Sequence, residues 1–330
     1  MKILVLHPGA LGDIILSLPA LAALRQRFRE AHITFAANLD FATAVAQGYA
    51  DEMRSLSCLP LHRLYLRDTL PEQDLRFWQS YERIISWTGA GHEVFEDHLR
   101  ALSPQSLIGR WKPAPGDARH VSQIFVDTLR SWLGTSDDPG KTRIFLDEAY
   151  RRAGTQWLQE RGCTPGISPV AIHPGAGSPN KRWPLPRYQS LARQIVQRKG
   201  NAILLVEGPA ERGTGRETAA DLPPETVQIA ASLPLGLLGG VLSCCQSFVG
   251  NDSGVAHLAA GLGIPSLVLF GPTSPRQWSP LGSHVLVLRD TTDCGACEHG
   301  AQPEHTCLKN LSVGDVYSSL GSLQRIGPTA

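Results

Sequence analysis

Residues 1–13 read MKILVLHPGALGD and residues 168–181 read SPVAIHPGAGSPNK, so the tetrapeptide HPGA follows a short apolar run twice, at His7–Ala10 and at His173–Ala176. An apolar run that stops at Pro-Gly has the form of a strand leaving a sheet through a turn: proline cannot donate to a strand ladder and glycine accepts turn conformations. Outward from these turns, other short apolar runs repeat the pattern: HITFAAN, RIISW, AILLVEG, SFVG and PSLVLFG. Several are apolar throughout, as expected of parallel strands covered by helices on both faces. Amphipathic stretches lie between them, including DIILSLPALAALRQRF, HVSQIFVDTLRSWL, AYRRAGTQWLQERG and RYQSLARQIVQRKG. Strand and helix patterns in alternation specify βαβ units and an α/β fold.

At 330 residues the chain exceeds the size at which one core usually stops growing. Two domains are therefore expected. The junction is placed at GCTPGISP, Gly162–Pro169, where Gly and Pro gather after a helical stretch. This gives an N-terminal domain over 1–165, a second domain over 166–310, and a closing segment over 311–330. No longer identity joins the halves, so HPGA supports two similarly built domains, while turn chemistry alone could also bring the tetrapeptide back.

Composition narrows the function. Apolar residues make up 42% and charged residues 18%, the profile of a globular chain with ample core material. No apolar run reaches the roughly 20 residues of a membrane span, and Met1 leads into KILVLH without the pattern of a signal peptide, so a cytoplasmic location is expected. The formal charge is +1 and evenly spread, with 19 Lys+Arg against 19 Asp+Glu in residues 1–165. A nucleic-acid partner, which asks for a basic face, is disfavoured. Seven cysteines, an odd number, argue against a disulfide framework.

The candidate chemistry sits at strand ends. Gly12 and Asp13 follow the first HPGA where a strand should turn into a helix. Asp13 is there either a base at the mouth of a cleft or a helix cap, a position Asp favours. The glycines at 9 and 12 do not form GxGxxG, which excludes the dinucleotide fingerprint and disfavours a dehydrogenase. After the second HPGA come Gly175, Gly177, Ser178, Lys181 and Arg182. Amides, a hydroxyl and cations in one loop suit a phosphate or diphosphate; a solvated loop is the plainer reading. Glu207, just past AILLV, has the place of a carboxylate that accepts from ribose hydroxyls, or of a surface Glu. Asp252, Ser253 and Gly254 stand between a strand and a helix, where free N–H groups and the helix dipole favour an anion. His257 falls one turn into that helix and faces either ligand or core.

Taken together, HPGALGDIILSLPAL, HPGAGSPNKRWP, LLVEGP and NDSGVAHLAAGLGIPSLVLFGPTSP resemble glycosyltransferase family 9, the ADP-heptose:lipopolysaccharide heptosyltransferases, over essentially the whole chain. The resemblance implies a GT-B architecture: two Rossmann-like domains, acceptor-binding first and donor-binding second, facing each other across a cleft. It also implies a final helix, VGDVYSSLGSL, that turns back towards the first domain. The implied reaction moves L-glycero-D-manno-heptose from ADP-heptose to the lipopolysaccharide inner core with inversion, and PNKRWP is closer to the enzymes of the second heptose. Asp13 would be the general base, Lys181 would meet the donor phosphates or ribose, Glu207 the ribose, and Asp252, Ser253 and Gly254 the diphosphate and sugar. No cofactor or metal is required, because a cation and helix-end amides can stabilise the leaving group. The implied partners are a nucleotide sugar and a lipid-linked saccharide, with peripheral contact at the cytoplasmic face of the inner membrane.

The acceptor side carries fewer signals. Arg54, His62, Arg63 and Arg67 offer cations for a phosphorylated core, or form an ordinary solvated face. Gly89, Gly91 and His92, after RIISW, mark another candidate cleft edge. Late in the chain, Cys294, Cys297 and Cys307, with His299 and His305 nearby, form either a zinc site or reduced cysteines in a loop and helix. Two other functions fit less of the pattern: a family 9 transferase with another nucleotide sugar or acceptor, and a non-catalytic nucleotide-binding protein.

Overall fold

The computed structural model describes residues 1–133, 143–163, 166–198, 201–290 and 307–326. They form two compact units, Met1–Phe145 and Leu146–Ala330. The first runs β1 (Lys2–Leu6), α1 (Leu11–Arg27), β2 (His32–Ala37), α2 (Leu39–Val45), β3 (Glu52–Ser55), α3 (Glu72–Gln79), β4 (Arg83–Ser86), α4 (Glu93–Leu102), β5 (Ser106–Ile108), α5 (Val121–Thr128) and α6 (Arg130–Leu133). The second runs α7 (Glu148–Gln159), β6 (Val170–His173), α8 (Leu185–Val196), β7 (Ile203–Glu207), α9 (Thr214–Ala219), β8 (Val227–Ala231), α10 (Leu235–Leu242) and β9 (Ser247–Asn251), then α11 (Gly254–Gly261), β10 (Ser266–Phe270), α12 (Pro275–Trp278), β11 (Val285–Arg289), α13 (Cys307–Asn310) and α14 (Val313–Ile326).

Both sheets are parallel and share one order. The first is β3-β2-β1-β4-β5; the second, read from its far edge, is β8-β7-β6-β9-β10-β11. Each unit therefore starts with a central strand, adds two neighbours on one side, then crosses to the other. This is the doubly wound Rossmann order, and it creates a switch point beside the first strand of each sheet, outside the carboxyl ends, where ligands bind in such folds. HPGA leaves β1 in one unit and β6 in the other, so both copies lie at switch points.

Burial explains which strands the sequence revealed. The interior strands are covered on both faces: β9 and β10 are buried at every position, as are β6 and β7. The strands that the apolar runs did not reveal are β3, β5, β8 and β11, and these are the edge strands. Their residues are largely half-buried, so EMRS or VQIAA lacks the continuous apolar signature.

The unit boundary lies at Phe145/Leu146 rather than at the expected 165/166. The reason is a close helix crossing: a Cβ at Gly154 of α7 would strike the backbone of Gly240 in α10, and one at Gly240 would strike the carbonyl of Tyr150. Only glycine lets these backbones meet, and the contact binds α7 to the second unit. At the other end of the unit, α14 inserts Val316, Leu320 and Leu323 into the second core beside Trp183, Tyr188 and Leu191. The buried face of the closing helix, expected to turn towards the first domain, is thus part of the second.

Candidate active site

In the first unit the HPGA turn is rigid from below. His7 is fully buried among Trp87, Phe125 and Phe35, with ring centroids 5.4, 5.2 and 6.1 Å away. Its Nδ1 accepts from the Gly9 amide at 3.0 Å. Burial lowers its pKa to about 3, so the ring is a neutral acceptor that shapes the turn.

Asp13 is the third residue of α1, and its Oδ2 accepts from the Ala10 amide at 2.9 Å. That is half of a capping box; Ala10 has no side-chain oxygen to complete the other half. The carboxylate is only partly buried. Cap and base, set as alternatives by the sequence, are therefore compatible: the helix terminus fixes the group and leaves it reachable. Gly9 is obligatory, because a Cβ there would lie 2.5 Å from Asp13 Cβ and 2.9 Å from Oδ2. Gly12 sits in the same first turn of α1.

In the second unit the two loops at the switch point are joined by side chains. His173 Nδ1 lies 3.1 Å from Ser253 Oγ, and Ser253 caps α11 by accepting from Ala256 N at 3.3 Å. Burial lowers the His173 pKa to about 4, with the Arg182 charge acting in the same direction. Lys181 Nζ reaches Asp252 Oδ2 at 2.8 Å, pairing a half-exposed cation with a carboxylate only 6% exposed. Gly254 opens α11 and His257 is buried one turn on. Ser178 precedes the 3-10 turn that carries Lys181, and a Cβ on Gly177 would meet nothing within 4 Å.

Two residues that the sequence did not single out organise this loop. Asn251, fully buried at the end of β9, donates Nδ2 to the carbonyls of Pro174 and Gly175 at 2.7 and 3.2 Å, and its Oδ1 accepts from Trp183 N at 2.9 Å. One carboxamide thus holds both ends of the GAGSPNKR loop. Trp183 continues the brace downward, packing edge-on to Tyr188 and donating Nε1 to the Leu311 carbonyl at 3.0 Å.

The other is Glu211, 8% exposed. A Cβ on Gly175 would fall 2.5 Å from its Cδ, and one on Gly208 2.8 Å from Oε2. The carboxylate therefore lies against the loop, with Arg182 NH2 3.9 Å from Oε1. Arg182 also donates to the Ala176 carbonyl at 3.1 Å. Glu207, the carboxylate expected from sequence, is equally buried, and its Oε2 accepts from Gly215 N at 2.9 Å, next to the start of α9. Glu211, the last residue of GPAE, had a readable signal, a Gly-Pro turn after an apolar strand. What could not be read is that its side chain folds back beneath a loop from another βα unit.

Two of the expected acceptor cations are held by carboxylates. Arg54 Nε pairs with Glu52 at 2.7 Å, and Arg63 Nε pairs with the buried Asp74 at 3.0 Å. Arg67 is exposed on the following chain. His92 caps α4, accepting from Phe95 N at 3.4 Å, and meets the Tyr65 ring edge-on at 5.0 Å. Gly89 and Gly91, with φ of 75° and 86°, make the turn before it. Cys294 and Cys297 lie outside the described residues; Cys307 is buried in α13. Among the described residues no group of three or more His, Cys, Asp or Glu side chains could hold a metal ion.

The sequence profile of glycosyltransferase family 9 (heptosyltransferase) matches residues 103–307. The chain belongs to glycosyltransferase family 9. The lipopolysaccharide heptosyltransferase 2 of Salmonella typhimurium is 32% identical over 161 residues, which cover 47% of this chain and 46% of that protein. The chain spans less than half the length of the curated heptosyltransferases that it matches at 31–34% identity. In three dimensions this family 9 member is similar throughout to a Veillonella parvula family 9 glycosyl transferase (TM-score 0.80, 20% identity, 99% and 98% of the two chains). It is similar also to E. coli ADP-heptose lipopolysaccharide heptosyltransferase II (TM-score 0.74, 19% identity, 99% of each chain). With the paired Rossmann sheets, these likenesses give the GT-B fold expected from the sequence.

Proposed function

We propose that this family 9 protein transfers a heptosyl group from ADP-heptose to the inner core of lipopolysaccharide, inverting the anomeric carbon, in the manner of the type 2 relatives it resembles. The observation that carries the reading is the Lys181–Asp252 pair beside the Ser253-capped start of α11, at the switch point of the second unit. A nucleotide diphosphate would find there a lysine, helix-end amides and the open backbone at Gly177. Glu211, against Gly175, would accept from the ribose hydroxyls beside Glu207, whose Oε2 already accepts from the Gly215 amide.

The chemistry follows from these groups. Asp13 takes the proton of the acceptor hydroxyl as its oxygen attacks the anomeric carbon. The bond from that carbon to the diphosphate oxygen breaks on the opposite face, and ADP leaves with the electron pair. Lys181 and the α11 amides stabilise the charge on the departing diphosphate. No metal is assigned a step. A lipid-linked acceptor would bring the protein to the cytoplasmic face of the inner membrane as a peripheral enzyme; no helix among the described residues is long and apolar enough to cross a membrane.

The test is donor binding by calorimetry, followed by transfer assayed by mass spectrometry on heptose-deficient lipopolysaccharide. ADP-heptose should bind and be consumed, and Lys181→Met should lower its kcat/KM by about 100-fold, the scale of one lost charge-stabilising contact. Binding of a different nucleotide sugar, with none for ADP-heptose, would overturn the named donor.

A further inference from the structure

The buried imidazole of His7 takes no part in the chemistry described above, yet it stands between the core of the first unit and the proposed base. Three elements fix the ring. It lies edge-on to Phe35 of β2 and to Trp87, just past β4, and tilted against Phe125 of α5. Trp87 is itself tied to the strand that leads into His7, donating its amide to the Leu6 carbonyl at 3.0 Å. A ring packed against three aromatic faces in a close-packed core has little room to shift.

From this fixed ring two paths lead to Asp13. The first is a pair of hydrogen bonds. Nδ1 accepts from the Gly9 amide at 3.0 Å and closes the His-Pro-Gly turn, and the next amide along, Ala10 N, donates to Asp13 Oδ2 at 2.9 Å. The second is packing: a Cβ on Gly9 would lie 2.6 Å from His7 Cε1 and 2.5 Å from Asp13 Cβ, so the Gly9 backbone is clasped between the imidazole and the aspartate. Burial keeps the imidazole neutral, against a smaller pull from the Asp13 backbone, which reaches the ring.

Residue chemistry narrows why a histidine stands here. Leucine would fill the aromatic box and leave the Gly9 amide without its acceptor. Asparagine would supply that acceptor, as in an Asx turn, and leave the box underfilled. A neutral imidazole does both. The second HPGA shows that turn chemistry alone does not dictate this use, for there His173 Nδ1 faces Ser253 Oγ at 3.1 Å and Asn251 holds the loop.

We infer that His7 is a positioning residue for the base: through Gly9 and Ala10 its imidazole sets the direction of the Asp13 carboxylate. Its effect on rate rests on the glycosyl-transfer reading above; its hold on the carboxylate rests on geometry alone.

Two variants separate positioning from packing. His7→Leu keeps apolar contact with the box and loses the acceptor. Its kcat should fall about tenfold with KM for ADP-heptose unchanged, a partial form of the roughly 100-fold loss that misplacing a reacting group by about 1 Å brings. His7→Asn restores the acceptor and gives up packing, so it should recover most of kcat while melting at a lower temperature than His7→Leu. Activity and stability then rank the two variants in opposite orders, which a purely structural role does not produce. Hydrogen exchange without any substrate reads the carboxylate directly: the Ala10 amide should exchange about tenfold faster in His7→Leu and near its original rate in His7→Asn, with the β1 amides unchanged. Full kcat in His7→Leu, a folded His7→Asn that recovers nothing, or unaltered exchange at Ala10 would each overturn the positioning role. The expected exchange pattern in a protein that transfers nothing from ADP-heptose would leave that role standing and remove the named reaction.

Discussion

The two HPGA turns leave equivalent strands of their sheets and differ in what they press against. In both, the glycine of the tetrapeptide abuts a carboxylate, Asp13 in the first unit and Glu211 in the second. In both, the histidine is buried and neutral. The first turn takes its carboxylate from the next turn of chain, on α1. The second takes its own from another βα unit and is braced from a third place by Asn251. A turn supported locally presents one group; a turn supported from several strands presents a surface. The proposed reaction asks for such a difference, a single base on one side and an extended diphosphate site on the other.

The largest expected effect tests the first turn. Asp13→Asn keeps an oxygen that can accept from the Ala10 amide, so the cap survives while the base is lost. Transfer should fall about 1,000-fold, within the usual range for a general base, with the melting temperature and donor affinity nearly unchanged. Retention of more than a tenth of the activity would remove Asp13 from the mechanism.

Next comes the brace of the second turn. Asn251→Ala strands two carbonyls and an amide in a buried place, and should destabilise the protein by about 3 kcal/mol, at roughly 1–3 kcal/mol for a buried group left unpaired. Chemical denaturation measures this, and donor affinity should fall with it. A neutral result would mean that the second turn is as self-sufficient as the first.

The shared histidines predict a shared pH response. Both folded values, about 3 for His7 and about 4 for His173, lie below the ordinary 6.5. As pH falls through 6.5 the unfolded chain binds protons that the folded chain refuses. Stability is therefore full above about pH 7 and declines towards pH 4, by about 1.4 kcal/mol per pH unit per histidine. His7→Gln and His173→Gln should each remove about one proton from the slope measured between pH 6.5 and 5. Unequal losses would show that the turns differ below the backbone as well.

The smallest effect is at Gly177, which has space around it and no left-handed backbone. Gly177→Ala should change stability by less than about 0.5 kcal/mol, the usual range for an unconstrained site, while weakening donor binding if the loop approaches the diphosphate there. Gly175→Ala, in collision with Glu211, should by contrast be destabilising.

Legibility in the sequence followed burial and locality. SFVG and PSLVLFG could be read as strands because both faces are covered; EMRS and VQIAA could not, because edge strands keep one side partly wet. The boundary placed at 165/166 missed α7's attachment because Gly154 and Gly240 are small in sequence for a reason visible only when their helices cross. The cations at Arg54 and Arg63 looked available until Glu52 and Asp74 were found beside them.

By itself the sequence determined two Rossmann-like units, the strand ends that bear chemistry, and Asp13 with Lys181 as the groups to watch. Apolar periodicity and turn residues are local properties, and a helix cap acts within four residues of chain. Only the tertiary structure decided that Glu211 lies under Gly175 and that Asn251 clamps the HPGA loop. Each depends on strands distant in sequence becoming neighbours in a sheet, and no pattern along the chain records which side chains then meet.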